Sequence, residues 1–264
     1  MSRAFRGELT RLIRRRVVII TGLVVLVFGI VGSAVTLSAA RPAAEVGPEA
    51  VRTRSFEQLA DAGAGSDIFR LIAAFAGTFL FVVFVGLITV ELSRGTMRTM
   101  LLRQPRRLQL LAGKLLAVLT FAAATLAAAE IVTWIAALAQ ASGAGVDASA
   151  WASVDGLVAG LGDYAVALVW IAGYAVVGTT LGLVLRSVPL ALGAGIAWAG
   201  PGEHLIRDGW PAAERVFPGL SLEALAAGGT PEVTATAALA AVLVYMVVGA
   251  TVSSVVFQRR DIVS

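Results

Sequence analysis

Glu130 is the only acid inside one of the long uncharged stretches of this 264-residue chain. A charge at the centre of a bilayer costs at least about 2.5–3.5 kcal/mol on insertion scales, so this side chain must face protein or water. It could contact a cationic or polar group along a substrate pathway. It could equally be a hydrogen-bonded packing residue, with Thr125 or Thr133 in reach along the same helix. Other chemistry-bearing residues are sparse. The single histidine, His204, cannot build a usual metal site alone. The absence of cysteine removes disulfides, thiolate sites and a cysteine nucleophile. Gly113-Lys114 lacks both the upstream glycine and the hydroxyl residue of a phosphate loop, and Gly160-Leu161-Gly162 follows no strand, so it is a dinucleotide fingerprint in letters only. An intramembrane enzyme needs paired reactive groups, and a secondary transporter several intramembrane ionisable residues. One acid supplies neither. No cofactor or metal site is expected in the chain, nor an ATPase site.

The elements that must position Glu130 follow from hydropathy. The chain is 58% hydrophobic and 14% charged, with a mean hydropathy of +0.86, and a spanning helix needs about 20 apolar residues. Runs of that kind lie at about 17–40, 69–90, 115–139, 164–185 and 233–256, with a shorter one at 187–202 that ends at Pro201-Gly202. The first run is too long for the core of a cleaved signal peptide. The expected fold is therefore an all-α integral membrane protein of six transmembrane helices forming one domain over 1–264. With both termini inside, 15 Arg and Lys fall on the cytoplasmic side and six outside, while three acids fall inside and 13 outside. That bias fits the positive-inside rule. It also accounts for the formal charge of +4 without any basic face for nucleic acid.

Shorter elements flank the runs. In residues 3–16, Phe5, Leu9, Leu12 and Ile13 make one apolar stripe with the arginines off it, the pattern of an interfacial helix against lipid phosphates. Residues 91–114 form the sizeable cytoplasmic loop. There Thr96 can cap a short helix with Met97, Met100 and Leu101 on one face, Gln104-Pro105 breaks it, and Pro105 suits the first turn of the next helix. That apolar face needs lipid or another protein to bury it. Residues 201–232 carry four prolines and large apolar side chains, which predicts short outer helices tucked against the spans. Gly178 and Gly182 form a G-x-x-x-G pair for close helix packing or a dimer face.

The stretch from Glu91 through Gly95-Thr96, Met97 to Leu102, Pro105-Arg106-Arg107 and Gly113-Lys114 resembles the permease subunits of type-2 ATP-binding-cassette transporters, as does the ending Phe257-Gln258-Arg259-Arg260-Asp261. The resemblance implies an elbow helix at the N-terminus. It also implies a coupling helix that docks in a groove of a separate ATPase subunit through Glu91, Gly95, Thr96, Met97, Met100, Leu101, Leu102 and Arg103. Arg98, Arg103, Arg106 and Arg107 could pair with acids on that partner or with lipid headgroups, or each could be ordinary positive-inside charge. ATP and magnesium would sit on the partner, present in two copies. A second permease subunit, identical or a sibling, would complete a dimer in the cytoplasmic membrane of a prokaryote. The implied activity is export of a drug, antibiotic or lipid-like molecule. The alternative is a membrane relay that passes ATPase motion to an extracytoplasmic partner without transport.

Overall fold

The computed structural model describes residues 2–45, 54–103 and 106–259. Among these the chain is helical throughout, with no strand. It runs α1 (Ser2–Leu12), α2 (Arg15–Ser38), α3 (Phe56–Ala60), α4 (Ala64–Ser93), α5 (Thr96–Arg103), α6 (Arg107–Ala141), α7 (Val154–Leu185), α8 (Val188–Ala197), α9 (Glu203–Gly209), α10 (Pro218–Ala227) and α11 (Ala235–Arg259). The helices α2, α6, α7 and α11 are each long and apolar enough to cross a membrane. An all-α, multi-pass membrane protein is the architecture these elements make. The Gln104-Pro105 break, Arg52 and the Arg260-Asp261 ending lie outside the described residues.

Helices outrun the apolar stretches that foretold them. α4 begins at Ala64 rather than 69, α6 at Arg107 rather than 115, and α7 at Val154 rather than 164. An apolar run records the thickness of the hydrocarbon, whereas backbone hydrogen bonding continues into polar residues beyond it. The stretch 187–202 departs further from a simple span. Arg186 turns the chain with a left-handed φ of 56°, and α8 is only ten residues long. A π-helical turn, Trp198–Gly202, then leads into α9. Pro201 lacks an N–H and its ring crowds the preceding turn of an α-helix, and the wider turn relieves both problems. The wide turn in turn demands glycine at 202, where a Cβ would lie 2.7 Å from the Ala197 carbonyl oxygen.

The chain divides into two compact units. One comprises Met1–Arg11, Ala76–Thr120 and Val169–Ser264. In it Gly178 and Gly182 let α7 lie directly on α4: a Cβ at 178 would be 2.9 Å from Phe84 Cβ, and one at 182 would be 3.2 Å from Thr89 Cγ2. The G-x-x-x-G pair therefore serves packing within the chain and is not free to form a dimer face. Thr180 of α7 accepts or donates to Ser253 of α11 at 2.9 Å, which adds a polar link between these helices. The stretch 201–232 folds as α9, a 3-10 turn and α10, whose Leu220, Leu222 and Leu225 are buried.

The other unit comprises Leu12–Phe75 and Phe121–Leu168. Its core gathers Leu37, Leu59, Ile68, Ala137, Ala141 and the fully buried Trp151. Trp151 Nε1 donates to the Leu59 carbonyl at 2.8 Å, satisfying the one polar atom of a large apolar ring. A capping box of Ser55 and Gln58 starts α3 beneath it.

Candidate functional site

The turn between α4 and α6 carries α5, and sequence order explains its shape. Gly95 adopts a φ of 68°, a conformation costly for any residue with a Cβ, so the end of α4 can reverse sharply. The Thr96 hydroxyl donates back to the Glu91 carbonyl oxygen at 3.2 Å. It closes the C-terminus of α4, whereas the sequence predicts a cap for α5.

The face of α5 read as a ridge for a partner points into the chain itself. Met97 is wholly buried, and it packs with Ile88, Leu110, Leu111, Leu183 and Phe257. Met100 and Leu101 are half-buried against the same cluster. The ridge is therefore not available as drawn from the sequence, because the start of α6 and the end of α11 already cover it. What remains outward is a different edge: Gly95, Thr96, Thr99 and Leu102 are exposed, and Leu102 is 80% exposed. Arg103 closes the helix. Arg107 is also partly consumed within the chain, since it donates to the carbonyls of Phe257 and Gln258 at the C-terminus of α11 at 3.4 and 3.2 Å. A cation suits that end of a helix.

Beside α5 sits a buried charge cluster. Lys114 Nζ, on α6, donates to Glu8 Oε2 of α1 at 2.6 Å and to Glu91 Oε1 of α4 at 2.7 Å. The three residues are 4%, 7% and 6% exposed respectively. Arg11 reaches Glu91 at 3.6 Å and Glu8 at 3.9 Å from the solvent side. Two acids and two bases thus balance, with Glu91 Oε2 left without a hydrogen-bond partner among the described residues. The groups satisfy one another, so the cluster fixes positions rather than presenting a nucleophile. It ties together both flanks of α5 and the N-terminal helix.

That tie explains how α1 works. Ala4 and Glu8 recur at i and i+4 and make its inner edge, with Ala4 against the α5 core and Arg11, at i+7, reaching in from the solvent side. Phe5, Leu9 and Leu12 lie half-buried beside that edge, and Ile13, just beyond the helix, is 57% exposed. The lipid-facing stripe of the sequence is real as a pattern, but a charged residue between its members holds the helix in place. Nothing in the sequence pairs Glu8 with a lysine 106 positions away. The only hint was that Glu8 is an acid within an otherwise basic segment.

Glu130 stands in the other unit, on α6 opposite a small-residue notch of α7. A Cβ at Gly160 would lie 3.3 Å from Glu130 Oε1. Asp163, one turn further on, is close enough to act on it electrostatically. Asp163 in turn accepts from Ser66 Oγ at 2.7 Å and Arg70 Nη1 at 2.9 Å, and Asp67 accepts from Arg54 Nε at 2.8 Å. Thr125 donates to the Phe121 carbonyl of its own helix. The carboxylate therefore borders a polar network of α4 and α7 rather than a threonine of α6. The sequence shows Glu130 but not this network: Ser66, Asp67 and Asp163 lie just outside the apolar runs and Arg70 at the start of one. Among the described residues no three His, Asp or Glu side chains converge as a metal site.

No curated protein matches the chain. Residues 50–263 match the family model described as "Protein of unknown function (DUF2705)", a match that takes in α3 to α11 with the α5 turn, and the chain belongs to that family.

Proposed function

We propose that the chain is the membrane-spanning permease subunit of an ATP-binding-cassette exporter, driven by a separate ATPase. The observation that carries this reading is α5: a short helix set between two long helices, fastened along one edge and exposed along the other through Thr96, Thr99 and Leu102. A helix held that way can accept a push from a docked partner and pass it to α4, α6 and α1 through the Lys114 cluster. In this reading α2, α4, α6, α7, α8 with its π turn, and α11 are six spans. With the arginine bias read by the positive-inside rule, both termini and α5 face the cytoplasm and α9 and α10 the outside, and the transporter resemblance implies the membrane of a prokaryote. Two such chains, or this one and a sibling, would face two ATPases carrying ATP and magnesium. A drug-like or lipid-like amphiphile is the substrate class.

The test is co-purification from gently solubilised membranes. An ATP-binding-cassette ATPase should come with the wild-type chain and be lost from Leu102→Asp, while that variant keeps its yield and its helical circular-dichroism spectrum. A wild-type chain that emerges with no ATPase refutes the reading. Loss only with Met97→Asp would not support it, since that change breaks the chain's own core.

A further inference from the structure

The segment 203–232 holds a second set of buried acids that the α5 turn does not use. Glu203, the first residue of α9, is 0% exposed. Its Oε2 accepts the Leu220 N–H at 2.8 Å, and the Gly219 N–H also reaches the carboxyl. These are the unpaired amides of the first turn of α10. Pro218 has no N–H to offer, and the N-cap residue Phe217 has no side-chain acceptor. Glu203 thus caps α10 from outside it. Its Oε1 is buried with no hydrogen-bond partner among the described residues, and no Lys or Arg among them forms an ion pair with it. The titratable groups around it are His204 beside it, Glu223 on α10, Tyr174 on α7 and Tyr245 on α11. Glu223 lies 3.0 Å from His204 Nε2. Glu214, in the 3-10 turn, is bound by Thr230 and faces Arg207.

A carboxyl capped on one oxygen and dry on the other suits a neutral acid better than an anion. We propose that Glu203 is a proton-operated latch: protonated, it sits under α10 and fixes that helix's first turn, and ionised, it moves to water and frees the turn. Burial first, and the Glu223 carboxylate second, push its carboxyl above the usual carboxylate range, against the pull of the two amides and of His204. A carboxyl raised in the closed arrangement contributes stability that is complete below its ordinary pKa and is lost as pH rises through the higher folded value. Acid closes the latch and alkali opens it. The inference concerns α9 and α10 alone and stands whether or not the chain is a transporter.

Amide exchange of the full chain in lipid nanodiscs tests it, read on the peptide spanning α10 and normalised to the intrinsic rate at each pH. From mildly acidic to mildly alkaline conditions, wild-type protection of Gly219, Leu220 and Ser221 should fall. Glu203→Gln, neutral at every pH and of the same shape, should stay protected throughout, so that the pH dependence disappears. Glu203→Ala should exchange fast at every pH. His204→Gln should keep the pH dependence, because the latch places the titration on Glu203. Flat wild-type protection, or a Glu203→Gln profile that follows the wild type, overturns the latch. So does pH dependence that vanishes in His204→Gln, which would assign the titration to the imidazole.

Discussion

Replacing Lys114 with methionine keeps the length and the apolar stem of the side chain and removes only its charge. Two carboxylates then remain, 7% and 6% exposed, that had shared one ammonium at 2.6 and 2.7 Å. Taking one partner out of a buried ion pair costs about 3–5 kcal/mol, most of it the penalty of leaving charge buried and unmatched. Arg11 offsets part of this. It stands at 3.6 and 3.9 Å with 59% of its side chain exposed, so water screens its attraction and the expected loss stays near the lower end, about 3 kcal/mol. That is roughly a hundredfold in the folding equilibrium. Glu8→Gln makes the opposite case. It leaves Lys114 paired with Glu91, one charge against one, and an amide oxygen that still accepts from the ammonium, so the loss should stay below about 1.5 kcal/mol. The assay is reversible unfolding in mixed micelles of rising SDS content, followed by circular dichroism. The triple variant Lys114→Met, Glu8→Gln, Glu91→Gln should recover most of the loss, because an apolar or neutral replacement of a whole buried cluster is often nearly neutral. If Lys114→Met costs less than about 1 kcal/mol, or if Glu8→Gln costs as much as Lys114→Met, the cluster does not hold the turn in the way its geometry implies.

Four further changes probe other parts of the chain by the same assay, and a fifth by that assay and by transport. Gly178→Ala places a Cβ 2.9 Å from Phe84 Cβ and 3.2 Å from the Val85 amide nitrogen, and should cost about 1–3 kcal/mol; Gly193→Ala, which meets nothing within 4 Å, should cost less than about 0.5 kcal/mol. Gly202→Ala should cost about 1–3 kcal/mol by forcing the π turn off the Ala197 carbonyl. Trp151→Phe strands the buried Leu59 carbonyl and opens space in a closed core, for a loss of about 2–4 kcal/mol. Glu130→Gln should leave the unfolding free energy within about 1 kcal/mol of wild type and, if the proposed permease reading holds, change substrate transport in the reconstituted complex; unchanged transport would remove Glu130 from a pathway.

Apolar composition made the long helices legible, because a hydrocarbon layer imposes a length that sequence must meet. Their ends were not legible. Ser66 and Asp163 fall just outside the apolar runs and Arg70 at the edge of one, yet all three lie within α4 and α7 and satisfy one another there. Hydropathy scores each residue against solvent and has no means to score it against a partner 93 residues away. The same blindness hid the Lys114 cluster and the cap that Glu203 places on α10. The helix from Thr96 shows a subtler failure. Met97, Met100 and Leu101 do form one apolar face, but it points into the chain, since such a stripe says that something must cover it and not what.

What covers it changes the meaning of α5. A helix whose apolar face awaited a partner would be loose until that partner docked, and docking would spend its energy on ordering the helix. With Met97 buried at home and both flanks tied through Glu91 and Lys114, α5 is already ordered. A partner that touches only Thr96, Thr99 and Leu102 then meets a small rigid edge, and force applied there must travel along α4, α6 and α1 because they share one charge cluster. Weak docking with stiff transmission is the arrangement a repeating cycle needs, whereas tight docking on a soft helix would hold the partner and absorb its motion. On the proposed permease reading the Lys114 variants separate these cases: loosening the cluster should leave capture of an ATPase through Leu102 intact and uncouple its ATP hydrolysis from movement of α1, which a spin label at the exposed Gly7 would report.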